Sequence, residues 1–282
     1  MIEIRELSFA YTKQPFIKDV SFAVNKGEIF GFLGPSGAGK STLQKILIGL
    51  LPSYRGSVTV FGTEVKRVSK DFYERIGIDF EFPTLYDKLT ARQNLSFFAS
   101  LYSRKTRDID ALLKSVDLEK DADKKVSDYS KGMKSRLNFL RSLINDPDIL
   151  FLDEPTSGLD PTNARLVKDA VLREKQNGKT VILTTHNMLD AQELCDRVAF
   201  IVNGEVKAMD TPRALIMKKG AATIHYTYLE NGKEQAGECA LADTACDEQL
   251  SAALKEGRLM TIHSTEPNLG DIFIDITGRV LV

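Results

Sequence analysis

Short apolar runs alternate with helical patterns along most of the chain, which predicts an α/β fold built on a doubly wound, largely parallel sheet. Three observations carry this. Ile29–Leu33 reads as a strand that runs into a glycine-rich turn, with a helix expected over residues 40–51. Residues 149–152 and 181–183 are apolar runs rich in β-branched or large residues, as strands covered on both faces are. Helical patterns follow them, over Pro161–Gln176 and residues 188–195.

The remaining elements fall into place around that frame. MIEIRELSF at the start alternates like a strand and carries acids early, unlike a signal peptide. Residues from about 90 to 128 are charged, helical in period and poor in β-branched residues, so they read as a helical insertion. Residues 198–201 followed by VNGEV form a hairpin signal, with Asn203–Gly204 at the turn. A second unit is expected to start near Lys218-Lys219-Gly220. In it residues 223–229 alternate, Asn231–Gly232 turns the chain, and residues 238–242 return it. Residues 245–255 read as a helix, 259–263 as a strand and 268–277 as a final helix. His225 and His263, each in a TIH triplet, read as isolated polar strand positions in preference to a metal pair completed by a cysteine.

Composition excludes several classes. The chain has 282 residues, 43% hydrophobic and 27% charged, with a net charge of −1. That is ordinary for a globular domain with a small companion. It supplies no general basic field for nucleic acid or acidic membranes. The longest apolar stretches, residues 46–51 and 149–152, are too short to span a bilayer. Cys195, Cys239 and Cys246 show no C-x-x-C spacing and read as reduced structural thiols of a cytoplasmic protein.

The chemistry is carried by a few short stretches. GPSGAGKST, comprising Gly34, Pro35, Ser36, Gly37, Ala38, Gly39, Lys40, Ser41 and Thr42, matches G-x-x-x-x-G-K-[ST] between a strand and a helix. Its glycines let backbone N–H groups surround β- and γ-phosphate oxygens, and the helix start adds a positive end. Lys40 neutralises the phosphates and Ser41 offers a hydroxyl to Mg²⁺. ILFLDEP places Asp153 at the C-terminal end of a buried strand, where α/β sheets bind ligands and where it would hold Mg²⁺. Glu154, the next residue, is placed to act as general base on the attacking water. His186 ends the apolar run VILTTH at the same edge and can donate to the γ-phosphate.

YSKGMKSR, residues 129–136, poses a question. Met133, Leu137, Leu140 and Ile144 recur at helical spacing, with Lys134, Asn138 and Arg141 on the other face. Ser130 is a natural N-cap. Yet the first turn carries Lys131, Lys134 and the helix-weakening Gly132, where acids are the norm because the dipole is positive. Something anionic is expected there.

YSKGMKSR, FLDEP, SGLDP and TTH follow the phosphate cradle in this order. Over about residues 1–217 the chain thereby resembles the ATP-binding subunits of ABC transporters. The resemblance implies a P-loop NTPase (RecA-like) core with an N-terminal antiparallel β subdomain and a helical insertion over about 90–140. This domain would span residues 1–219, and a small C-terminal α+β module residues 220–282. It implies that Tyr11 stacks on adenine, that residues 157–160 including Asp160 form the D-loop, and that His186 is the switch histidine. Ser130 and Gly132 match the serine and second glycine of the family's signature motif, which caps the γ-phosphate of ATP held by the opposite subunit. Lys131 and Met133 depart from its common letters. In IGIDFEFPTLYDKLT, Glu81 stands where the family usually has glutamine, and a carboxylate there can ligate Mg²⁺. Phe80, Phe82, Leu85 and Tyr86 suit a groove for the membrane partner, or else core packing. These departures, and EPNLGDIF in the tail, resemble the drug-export branch represented by daunorubicin-resistance ATPases.

The resulting expectation is a cytoplasmic ATPase, peripheral on the inner face of the cell membrane. It would dimerise with itself or a related subunit around two MgATP and drive a separate permease, with no nucleic-acid partner. Two alternatives stay open: a soluble ABC ATPase acting on ribosomes or DNA, and a weakly hydrolysing nucleotide-binding regulator. The first usually has tandem cassettes or coiled-coil insertions, and Glu154 and His186 speak against the second.

Overall fold

In a computed structural model, which describes residues 1–81, 84–218, 223–265 and 267–278, the chain divides into two units at Asp210/Thr211. The expected boundary at 219–220 lies outside the described residues. The observed division comes earlier because the helix Pro212–Lys218 packs on the final helix, Leu269–Thr277, within the second unit.

The first unit opens with β1 (Ile2–Phe9), β2 (Ile17–Val24), β3 (Ile29–Leu33), α1 (Lys40–Leu47), β4 (Arg55–Val60), β5 (Thr63–Glu64) and α2 (Lys70–Tyr73). Then come β6 (Ile76–Asp79), α3 (Ala91–Ala99), α4 (Ile109–Ser115), α5 (Lys131–Leu143), β7 (Ile149–Asp153) and α6 (Pro161–Gln176). It closes with β8 (Thr180–Thr185), α7 (Met188–Leu194), β9 (Arg197–Val202) and β10 (Glu205–Asp210). A six-stranded sheet runs β10-β9-β3-β8-β7-β6, parallel except for β10. An antiparallel sheet runs β2-β1-β4-β5. Phe22 of β2 stacks on Phe30 of β3 at 5.2 Å, so the two sheets share one core.

β3, β7 and β8 are buried at every position, which is why they read as uninterrupted apolar runs. Their parallel register brings Leu33, Asp153, Thr184 and Thr185 to the same sheet edge. Two expectations fail here. α1 ends at Leu47, not residue 51, because Gly49 turns into the left-handed region (φ 78°). Asn138, expected on the open face of its helix with Arg141, is buried beside β6. The apolar period marked only one of two buried stripes, since the second is polar.

The second unit contains α8 (Pro212–Lys218), β11 (Thr223–Glu230), β12 (Lys233–Ala240), α9 (Glu248–Lys255), β13 (Leu259–Thr265) and α10 (Leu269–Thr277). Its antiparallel sheet runs β12-β11-β13. Ile224, Tyr226 and Tyr228 form a small core with Leu250 and Ala253 of α9. The return strand starts at Lys233, not 238, because Asn231 and Gly232 (φ 50° and 74°) make a two-residue turn that reverses the chain at once. His225 and His263 do sit opposite each other, yet among the described residues no group of three or more His, Cys, Asp or Glu could hold a metal. No described helix is long and apolar enough to cross a membrane.

Candidate nucleotide-binding and hydrolysis site

The cradle grows out of β3. A Cβ at Gly34 would collide with the Ile201 carbonyl oxygen, so only glycine fits that exit. Gly37 and Gly39 lie in the left-handed region (φ 77° and 112°), which glycine reaches without steric cost. Gly39 leads into α1 without a side-chain cap, leaving the first N–H groups of the helix open. The Lys40 ammonium is nearly buried and donates to the carbonyls of Gly34 (2.6 Å) and Pro35 (3.1 Å). Burial pushes its pKa down, against the carboxylates of Glu154, Asp153 and Glu81.

Asp153 ends β7. Its Oδ1 accepts from the Ser41 hydroxyl (3.3 Å) and from the Thr184 hydroxyl of β8. Glu154 has φ 53°, a left-handed conformation costing a non-glycine residue about 1–3 kcal/mol. Three contacts hold it. Its N–H donates to the Thr184 carbonyl (2.9 Å), Thr185 Oγ1 donates to its carboxylate (3.1 Å), and His186 Nδ1 lies 2.8 Å from Oε1. The strain turns the carboxylate into a pocket of about 290 Å³ lined by residues 36–42, Phe16, Glu81, Asp153, Glu154 and His186.

Other expected residues stand apart. Tyr11 is more than half exposed and does not line the pocket. Its ring meets Phe9 and Phe16 edge-on, and its hydroxyl lies 3.0 Å from Thr42 Oγ1. Gly34 and Pro35 shape the loop from behind. Ser130 caps α5, accepting from Met133 N–H at 3.2 Å. Gly132 faces Asn163 and Leu159, and Lys131 reaches over Gly158, so YSKGMKSR packs against SGLDP outside the pocket. Lys134 is paired with Asp87 at 2.9 Å. Asp160 caps α6 through the N–H groups of Thr162 (3.1 Å) and Asn163 (3.0 Å). The Asn163 side chain and these N–H groups hold its carboxyl below the ordinary range.

Four residues escaped the sequence reading. Phe16 lines the pocket, but its segment carries no motif. Thr184 and Thr185 orient the two acids, and their place at the end of VILTTH was the available signal. Asp79, two residues before Glu81, is buried, which pushes its carboxyl up to about 7 against the pull of Arg141 and the Asn138 side chain. Nearby, a groove of about 420 Å³ is lined by Tyr73, Ile78, Phe80, Phe98, Leu101 and Arg141 among others. Phe80 therefore serves both the groove and the core. Leu85 is half-buried and Tyr86 exposed, its ring 5.0 Å from that of Phe97, while Phe82 lies outside the described residues.

The family model described as "ABC transporter" matches residues 17–157. A fluoroquinolones export ATP-binding protein of Mycobacterium tuberculosis is 49% identical over 284 residues, covering 100% of this chain and 94% of that protein. A solved ATP binding subunit of an ABC transporter superposes with a TM-score of 0.70 at 30% identity, over 78% of this chain and 93% of the other. A dimeric, post-hydrolysis ATP-binding cassette bound to ADP and Pi superposes with a TM-score of 0.66 at 25% identity, over 75% and 98%. The chain belongs to the ABC transporter family. It is an ATP-hydrolysing, nucleotide-binding subunit that energises a membrane transporter.

Proposed function

We propose that the chain hydrolyses MgATP in a dimer, each site built from two copies, and drives an integral membrane permease that exports its cargo. The observation that carries this is the division of parts. Lys40, Asp153, Glu154 and His186 share one pocket, whereas Ser130, Gly132 and Asp160 lie at the surface outside it. A helix start bearing a glycine and an exposed lysine suits a phosphate brought by another molecule. The dimeric cassette bound to ADP and Pi supports the same arrangement here.

On binding, the Lys40 ammonium transfers from two loop carbonyls to phosphate oxygens. The residues fit Mg²⁺: the Ser41 hydroxyl and an Asp153 carboxylate oxygen converge at 3.3 Å, and Glu81 lines the same pocket. That ion typically takes one or two protein oxygens plus phosphates and water. When bound it neutralises charge building on the phosphates. Glu154 takes the proton of the attacking water, and His186 holds the carboxylate in place. Tyr11 and Phe16, adjacent aromatics beside Thr42, offer a surface for the base.

The groove lined by Phe80 is the proposed seat of the permease, since it is mostly apolar and Phe80 directly precedes the pocket residue Glu81. Export is inferred from the fluoroquinolones export relative. With that permease as partner, the proposed location of the subunit is the inner face of the membrane.

Mixing two inactive variants tests the composite site. Lys40→Ala breaks a cradle, and Gly132→Asp sets a negative charge where the partner's γ-phosphate docks. A mixed dimer gathers both lesions in one site and leaves the other intact. Mixing is expected to restore ATPase activity, up to one working site per heterodimer. No recovery, with heterodimers demonstrated and single-site firing established independently, would refute the arrangement.

A further inference from the structure

β6 is the outer strand of the six-stranded sheet, so one edge of its backbone has no strand neighbour. α5 packs against β6. A Cβ at Gly77 would collide with the Ser142 carbonyl oxygen, so the helix backbone rests directly on the strand. Side chains from the helix and the residues just after it then occupy the open carbonyls. Asn145 Nδ2 donates to Ile76 (2.9 Å) and Glu74 (3.2 Å). Asn138 Nδ2 donates to the Phe80 carbonyl (3.2 Å) and to the Asp79 carboxylate. Arg141 donates to the Thr84 carbonyl (3.1 Å). Asn138 and Arg141 are three apart and share one face of α5, and Asn145 lies in the turn just after it.

Phe80 directly precedes Glu81, which faces the chain's own nucleotide pocket. The helix that fastens it begins at Ser130 and Gly132. Of these donors, Asn138 stands nearest Glu81 in sequence contacts, and it and Asp79 are both almost fully buried. Neither lines the nucleotide pocket.

We propose that Asn138 is a positioning residue that couples the two nucleotides a protomer touches, by binding the strand that leads to Glu81 to the helix that offers Ser130 and Gly132 to the partner. The inference rests on the composite-site reading above. When nucleotide in the cradle engages Glu81, Phe80 and Asp79 pass the displacement through Asn138 to α5, and the helix start is set for the second nucleotide. Such coupling is a two-site interaction and registers as positive cooperativity in ATP.

The test uses the full-length chain and three readouts: melting temperature, ATP affinity of the single cradle, and the Hill coefficient for ATP in steady-state hydrolysis. Asp79→Val combined with Asn138→Ala removes the link while keeping the interior apolar and matched. It is expected to melt cooperatively at or above the unaltered chain's temperature and to keep the cradle affinity, while its Hill coefficient falls to 1 and its kcat drops about tenfold. Asp79→Asn, which keeps an acceptor for Asn138, is expected to retain cooperativity. Should the double variant not fold, Asn138→Leu, of similar volume, serves in its place. A Hill coefficient and kcat unchanged in the variant that folds would overturn the proposal, as would a Hill coefficient of 1 in the unaltered chain. Recovery on mixing Lys40→Ala with Gly132→Asp, together with an unchanged Hill coefficient, defeats this inference alone. Absent recovery defeats the composite site and this inference with it.

Discussion

Glu154 holds a backbone conformation that side-chain-bearing residues avoid, and the contacts that keep it there come from β8, not from its own strand. The carboxylate is mostly shielded, at 11% side-chain exposure, with Thr185 and His186 as partners. That leaves one acid oriented into the pocket beside Asp153, whose own oxygen is already committed to Ser41 and Thr184. The different tasks proposed for these adjacent acids rest on this difference in their hydrogen bonds. Glu154→Gln keeps the shape but cannot take a proton from water. It is expected to bind ATP normally and to lose on the order of 10²–10⁴ in turnover. Equilibrium nucleotide binding alongside steady-state phosphate release checks both halves, and normal turnover would remove Glu154 as the base.

At the scale of elements, α5 and β6 form one fastened body, and the buried acid between them sets a pH dependence. Burial raises the Asp79 carboxyl from the ordinary 3.8 to about 7. A raised acid favours the protonated form in the folded state. Its stabilising contribution is full below about pH 3.8 and is lost as pH rises toward about 7. The Asn138 amide, which donates to the Asp79 carboxylate, pulls the other way, and burial outweighs it. Asp79→Asn is neutral throughout. Relative to the unaltered chain it is expected to gain on the order of a few kcal/mol between pH 4.5 and pH 8. Chemical denaturation at both pH values measures this, and equal differences at the two would show that Asp79 is ionised in the fold.

For the whole molecule, the division at Asp210/Thr211 separates two independent cores. The first is large and aromatic, joining both sheets and α1. The second is a handful of residues between β11 and α9, with α8 belonging to the same unit. All the pocket residues lie in the first unit. A chain ending at Asp210 is expected to fold, melt cooperatively and bind ATP with unchanged affinity. Ending at residue 219 instead would leave α8 without the α10 it packs on. Loss of cooperative melting in the chain ending at Asp210 would show that the second unit completes the first.

Amino-acid order alone marked the parallel core, the glycine-rich cradle, and Asp153, Glu154 and His186 as candidates at one sheet edge; the switch role of His186 came only from the family resemblance. Those features are local: buried strands are continuous apolar runs, and a phosphate loop needs glycines and a lysine at set spacing. Ser130 as a helix cap was legible for the same reason, since capping acts over three residues. Asn138 was misplaced because periodicity detects apolar faces and is blind to a buried polar stripe. The partners of that stripe, Asp79 and the open carbonyls of β6, lie about 60 positions away in the chain. Phe16 joined the pocket, and Thr184 and Thr185 became orienting groups, only when strands distant in sequence were laid side by side. Tertiary structure also decided that YSKGMKSR faces away from its own chain's pocket. The direction in which a helix start points depends on how the helix docks against the sheet, and no spacing of residues encodes that angle by itself.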